Sequence, residues 1–215
     1  MLTSSFTGTL SSIRANNEQE PQFAIILYAP TEVSTALDYV RFRYDPGFKM
    51  KIPPHITLKR PASIGKQPNL SAHFHTVCRA IEEITPTINP FAVALSGYDV
   101  FRKPDCNVVF LKIADASPLW HLHQKLIEVL SRFYPDGAAD SLEGAKYHPH
   151  LTIGNKLSDI ELAVLQHELD TGSYKLDFRF IAEEMGLLAQ LPIADDRFDW
   201  RTISHFKFGS IPAAK

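Results

Sequence analysis

The sequence predicts an α+β protein built from two lobes related by a rough two-fold axis, and three observations carry that prediction. A short kernel, His-apolar-Thr-apolar, is written twice: His55-Ile56-Thr57-Leu58 and, 95 positions later, His150-Leu151-Thr152-Ile153. Each copy lies in a β-prone run directly before a helical pattern. Around the copies the apolar periodicity switches between strand and helix in the order β-α-β-α-β-β-α-β-α-β-β. The unit strand, helix, motif strand, helix, strand, strand is thereby partly repeated.

Each element has its own reason. PQFAIILYAP is a short Ile-rich run bounded by prolines and reads as a buried strand. Thr31 can cap a helix through VSTALDYVRFRY, where Val33, Leu37, Val40 and Tyr44 recur at helical spacing, and DPGFK ends it with turn residues. HITLKR is a strand opened by Pro53-Pro54 and closed by Pro61. Residues 68–84 are helical through Leu70, Phe74, Val77, Ile81 and Ile84. Residues 88–101 and 107–114 are β-rich and separated by RKPDC, a hairpin pattern. Residues 118–134 carry a helical stripe from Leu119 to Phe133, and HPHLTIGN is the second motif strand. Ser158 can cap a helix through Leu162, Leu165 and Leu169. YKLDFRFIAEEMGLLAQL and FDWRTISHFKF close the chain as two strands.

At 215 residues the chain fits one bilobal domain over residues 21–210, preceded by a Ser/Thr/Asn-rich segment, residues 1–20, that reads as a mobile tail. That segment lacks a secretory pattern, and no run approaches the ~18 apolar residues of a membrane helix, so a cytoplasmic protein without membrane attachment is expected. Cys78 and Cys106 have neither metal-type nor redox-type spacing and are read as two buried, reduced thiols. A net charge of −2 argues against non-specific coating of nucleic acid. Residues 41–60, however, hold Arg41, Arg43, Lys49, Lys51, Lys59 and Arg60 against Asp45 alone. A basic zone on an acidic body suits a small anionic substrate or one end of a nucleic acid.

By chance the kernel would occur about 0.1 times in a chain of this composition, so a second copy at the matching point of the topology carries weight. Alternation along a strand puts His55 and Thr57 on one face and Ile56 and Leu58 on the other, and likewise for His150 and Thr152. Two imidazoles across a cleft suit acid–base chemistry at neutral pH: one takes a proton from the attacking group, the other gives one to the leaving group. Two threonines can hydrogen-bond the non-bridging oxygens of a phosphate held between them. Such a site opens a cyclic phosphodiester, or closes the reverse ligation, with no metal and no cofactor. Lys59 and Lys156 continue the motif faces as candidate phosphate contacts, with a solvated strand-end lysine as the competing reading. Tyr28, Phe101, Arg102 and Tyr147 are candidates to stack on a base or meet a phosphate, with core or rim packing as the competing reading. His73/His75 and His121/His123 lie in helices, where i and i+2 diverge, and make poor chelators; His148/His150 has no accompanying ligand cluster.

The paired kernels resemble the 2H phosphoesterase superfamily, which includes the bacterial and archaeal 2′-5′ RNA ligase (RNA 2′,3′-cyclic phosphodiesterase) proteins. RYDPGFKMKIPPHITLKRP looks like the first-motif region of a bacterial branch of it, and the resemblance covers residues 21–208. It implies His55 and His150 as the catalytic pair, Thr57 and Thr152 as phosphate ligands, and two antiparallel sheets walling a central groove with helices outside. It implies as substrate a nucleotide or RNA terminus bearing a 2′,3′-cyclic phosphate or related 2′-linked phosphodiester; no obligate protein partner is evident in the sequence, and a monomer is expected. A nucleotide- or RNA-end-binding module of little turnover and a hydrolase or ligase of a signalling oligonucleotide or cyclic ADP-ribose product are the alternatives. After the first motif, where many members carry an aromatic or arginine pattern, this chain has Lys59-Arg60-Pro61.

Overall fold

A computed structural model describes residues 21–63, 69–104, 106–133, 142–192 and 198–209. The amino-terminal segment read as a mobile tail lies outside the described residues. The strands are β1 (Gln22–Tyr28), β2 (His55–Ser63), β3 (Phe91–Phe101), β4 (Asn107–Ile113), β5 (His150–Leu157), β6 (Phe178–Ala182), β7 (Glu184–Pro192) and β8 (Phe198–Lys207). The helices are α1 (Thr31–Tyr44), the single turn α2 (Pro46–Lys49), α3 (Leu70–Ile84), α4 (Ser117–Leu130) and α5 (Asp159–Asp170).

The strands run in the order β6-β3-β4-β5-β2-β1-β7-β8, with antiparallel neighbours throughout. Where two antiparallel sheets are expected, the eight described strands form one sheet, whose two four-stranded halves, β8-β7-β1-β2 and β5-β4-β3-β6, correspond to them. They join along the seam between the two motif strands, where the single paired position among the described residues is Ile56 with Leu151. The halves match across that seam, since β1-α1-β2 and β4-α4-β5 each place a motif strand after a helix. Each helix packs on the motif strand of the other half, α1 against β5 and α4 against β2.

The main core lies on the helical side and takes Phe23, Ile25 and Leu27 of β1, Ile56 and Leu58 of β2, and Leu151 and Ile153 of β5. The intervening β1 residues Ala24 and Ile26 turn to the opposite face, where they pack with Leu188, Tyr28, Ile52 and Trp200. Residues opposite one another on an antiparallel pair share a face. Thr57 lies opposite Ile26 and His55 opposite Tyr28, so the motif's polar residues belong to this open face. A slip of one residue would bury the histidines and expose the four kernel aliphatics, each worth about 1.5–3 kcal/mol of burial. The apolar half of the kernel thereby fixes where its polar half points.

Local chemistry matches the sequence at several ends. Ser158 caps α5 through a reciprocal capping box with Glu161. Asp45 accepts from the backbone N–H of Gly47 and starts α2, a turn of helix where DPGFK promised only a turn. Thr31 is the first residue of α1 rather than its cap, a position held by Pro30. The segment YKLDFRFIAEEMGLLAQL, read as one strand, is two: β6 pairs with β3 at one edge of the sheet, and β7 pairs with β1 in the other half. The chain thus crosses between halves at Glu183, which gives eight strands among the described residues instead of seven. Cys78 and Cys106 are free but half-buried, not buried, and burial pushes the Cys78 thiol up to about 11.

Candidate active site

The site begins with two short lead-ins, Pro53-Pro54-His55 and His148-Pro149-His150. A proline fixes its own φ and offers no N–H, which favours extended backbone before each motif strand. In both copies the ring Nδ1 lies against the carbonyl two residues back, His55 on Pro53 at 2.8 Å and His150 on His148 at 2.7 Å. A carbonyl only accepts, so Nδ1 carries the proton and Nε2 is the nitrogen left to exchange one. The two halves therefore hold their imidazoles in the same tautomer by the same device.

Continuing the Ile56–Leu151 register one residue each way sets His55 beside Thr152 and Thr57 beside His150. The quartet is a crossed square on the open face, with the imidazoles on the diagonal. Diagonal cross-strand neighbours stand roughly 7–8 Å apart between Cα atoms. The pair is coupled as well as close: the His55 charge helps depress His150.

Burial lowers both imidazole pKa values, offset in part by the carbonyl each ring bonds, and His150 falls to about 4. Its surroundings explain the depth of that shift. Phe101 meets it edge-on at 5.0 Å, Phe110 lies at 5.0 Å, and these rings stack on each other at 4.2 Å. Because the folded pKa of His150 lies below the unfolded value near ~6.5, this residue contributes stability that is complete above that value. The contribution is lost as pH falls from there through about 4. Thermal melts should show a midpoint declining over that interval, with a shallower decline in His150→Asn. Equal slopes for the two proteins would refute the assignment.

The candidates beyond the quartet divide. Lys59 does not continue the Thr57 face. The register against β1 shifts between Ile25 opposite Lys59 and Ile26 opposite Thr57, a β-bulge that turns Leu58 and Lys59 both inward. Lys59 is buried, 3% exposed on its side chain, and its ammonium pairs with Glu143 at 2.8 Å. The bulge hands the open face to Arg60, whose charge reaches His150. The second motif has the same bulge, between Gly154 and Thr152 opposite β4, and there Asn155 takes the place of Arg60. Gly154 stands where Lys59 stands in the first motif. A Cβ on it would come within 3.0 Å of Leu165 and 3.1 Å of Leu157, so helix α5 closes over the position.

Tyr28 belongs to the site's wall. Its ring crosses Gly186, where any side chain would collide with it, to reach the Thr202 hydroxyl and to stack on His205 at 5.3 Å. Lys156 and Asn155 line a cavity of about 180 Å³ with His55, Thr152, Gly47 and Met50. Arg102 is exposed just past Phe101 at the end of β3 and lines no part of this cavity. Tyr147 does not face a base: its hydroxyl donates to the Thr57 carbonyl at 2.8 Å while its ring stacks on His123. A larger cavity, about 430 Å³ between α1, β3 and β6, contains no motif residue.

Half of the six cations in residues 41–60 are committed to ion pairs within the structure, Lys59 among them. Arg41 is buried, with Asp45 at 2.7 Å and the Ile52 carbonyl at 2.8 Å; Arg43 bonds Glu168 at 2.8 Å. Sequence reasoning missed Phe110, Asn155 and Glu143. Phe110 is legible only once β4 is paired with β5, and Asn155 only once the bulge is known. Among the described residues no group of three His, Cys, Asp or Glu side chains is arranged as metal ligands, and no helix is long and apolar enough to cross a membrane.

Known proteins resemble the chain in sequence and in fold. A sequence profile described as the 2′-5′ RNA ligase superfamily matches residues 29–191. A protein named as a phosphoesterase in Halalkalibacterium halodurans is 29% identical over 187 residues, 87% of this chain and 97% of its own length. A protein of the same description in Bacillus cereus is 30% identical over 142 residues, 66% of this chain and 74% of its own. Among solved structures, TT0787 of Thermus thermophilus superposes with a TM-score of 0.60 at 14% identity, over 88% of this chain and 98% of that one. LigT of E. coli complexed with 3′-AMP superposes with a TM-score of 0.53 at 16% identity, over 88% and 99%.

Proposed function

The chain belongs to the 2′-5′ RNA ligase superfamily of 2H phosphoesterases, and on that premise we propose that it is a metal-independent phosphodiesterase opening 2′,3′-cyclic phosphates on a nucleotide or RNA end. The observation that carries this reading is the matched pair of imidazoles, each pinned by Nδ1–H to a backbone carbonyl, on one open face with two threonines. With the phosphate between them, one Nε2 takes the proton of the attacking water. The other gives its proton to the ribose oxygen that leaves, and the product is a phosphomonoester. Thr57 and Thr152 donate to the non-bridging oxygens, and Arg60 adds positive charge beside His150. A 5′-hydroxyl placed where the water attacks would open the same ring by the same two proton transfers, its oxygen bonding phosphorus as the 3′-oxygen leaves with a proton, to give a 2′-linked diester.

Both imidazoles are depressed, so in the free protein both are neutral at pH 7. Catalysis needs one neutral and one protonated, and the proton is gained as an anionic phosphate settles against the ring and raises its pKa. The value of kcat/KM, which reports the free protein, should therefore peak below about pH 6.5 and fall above it. The value of kcat, which reports the complex, should hold to higher pH. A single neutral-pH optimum shared by both would contradict the mechanism. The first assay is hydrolysis of 2′,3′-cyclic AMP and of RNA ending in a cyclic phosphate, in EDTA, with 3′-AMP as a binding control because LigT of E. coli was crystallised with it. Binding without product would instead favour a nucleotide-binding module.

A further inference from the structure

The two imidazoles lie on opposite sides of the sheet's thinnest seam, where β2 and β5 share one paired position among the described residues. Proton transfer at both ends of one displacement requires that spacing to hold to within about 0.5 Å. Something besides the ladder must fix it.

The tie comes from α4. His123, a residue with no part in the proposed proton transfers, is fully buried. Its Nδ1 lies 2.7 Å from the Leu58 carbonyl, in the first motif strand, and its Nε2 accepts from the Gly144 N–H at 2.9 Å, in the segment that leads to the second. The carbonyl only accepts and the amide only donates, so the ring is the neutral Nδ1–H tautomer with both nitrogens satisfied. It lies flat on Tyr147, 3.9 Å between centroids and 12° between planes, and Tyr147 in turn donates to the Thr57 carbonyl at 2.8 Å. Beside them Glu143 accepts from the Arg60 N–H at 2.9 Å and pairs with Lys59. Residues 143–147 are thus fastened to residues 57–60. One residue beyond Tyr147 is His148, whose carbonyl holds His150 Nδ1.

We infer that His123 is a positioning residue that sets His150 against His55, by tying the backbone ahead of the second motif to the first motif strand. The inference rests on the phosphodiesterase reading for its kinetic consequence and on geometry alone for its structural one. His123→Phe keeps the ring and its stacking but removes both hydrogen bonds; Tyr147→Phe removes only the hydroxyl, and serves where His123→Phe is too unstable to study. In ¹⁵N-labelled protein the imidazole signals of His150 give its tautomer and its titration without any turnover. In His123→Phe they are expected to lose the single Nδ1–H form and to titrate closer to an ordinary histidine. With 2′,3′-cyclic AMP, kcat should fall about 30-fold or more for His123→Phe and several-fold for Tyr147→Phe, with KM within about threefold of wild type. His123→Gln, which can restore one bond, should recover part of kcat. A variant that melts earlier yet keeps wild-type kcat and wild-type His150 signals would overturn the inference. If the parent protein hydrolyses no cyclic phosphate, the functional reading falls, while the His150 signals still decide whether His123 positions that ring.

Discussion

Replacement of His55 or His150 by alanine is expected to lower kcat on 2′,3′-cyclic AMP by about 10³-fold or more, and the double replacement to lower it little further. General acid–base catalysis by one placed side chain contributes about 10²–10⁴-fold. In the proposed mechanism the two imidazoles act in one displacement, so removing either leaves its partner without a complementary step, and the losses do not multiply. Alanine at Thr57 or Thr152 removes one donor to the phosphate oxygens, which costs about 2–4 kcal/mol of transition-state binding while both proton carriers remain. The order expected is therefore each histidine above each threonine, with thermal melts confirming that every variant is folded. Single histidine variants retaining a tenth of the activity, or losses that multiply in the double variant, would remove the two-proton scheme.

Much of this site was legible because the kernel carries two kinds of information. Its apolar positions give the strand and its face; its polar positions give the chemistry; its repetition gives the second half. The strand–helix order, the hairpin at RKPDC and the Ser158 cap were equally visible, since each depends on residues a few positions apart. What was not visible depends on partners distant in sequence. Alternation assigned Lys59 to the face of Thr57, and the bulge against Ile25 and Ile26 moved that face to Arg60. The long apolar run through Phe178 and Leu188 reads as one strand, because nothing local reveals that its halves pair with β3 and β1 on opposite sides of the molecule. The cations of residues 41–60 looked like an anion site because the sequence does not say that Asp45, Glu168 and Glu143 claim three of them.

That reassignment of Lys59 has a large stability consequence. Its ammonium and the Glu143 carboxylate are 3% and 2% exposed and 2.8 Å apart, and the carboxylate also accepts from the Arg60 N–H. Removing one member of such a pair leaves a charge buried without its partner, which costs about 3–5 kcal/mol. Glu143→Ala should accordingly lower the melting midpoint by about 6–20 °C in a chain of this size. Lys59→Met combined with Glu143→Leu removes both charges and replaces them with apolar groups of similar volume, so most of the loss should return. Kinetics then separates the two roles open to Lys59. A lysine on the phosphate would raise KM for the cyclic nucleotide in every variant lacking it, whatever the melt. A lysine held by Glu143 predicts the opposite pattern: KM for the paired Lys59→Met, Glu143→Leu variant stays near that of wild type, and only Glu143→Ala melts early. The charge at the phosphate is then left to Arg60, which the bulge presents to His150.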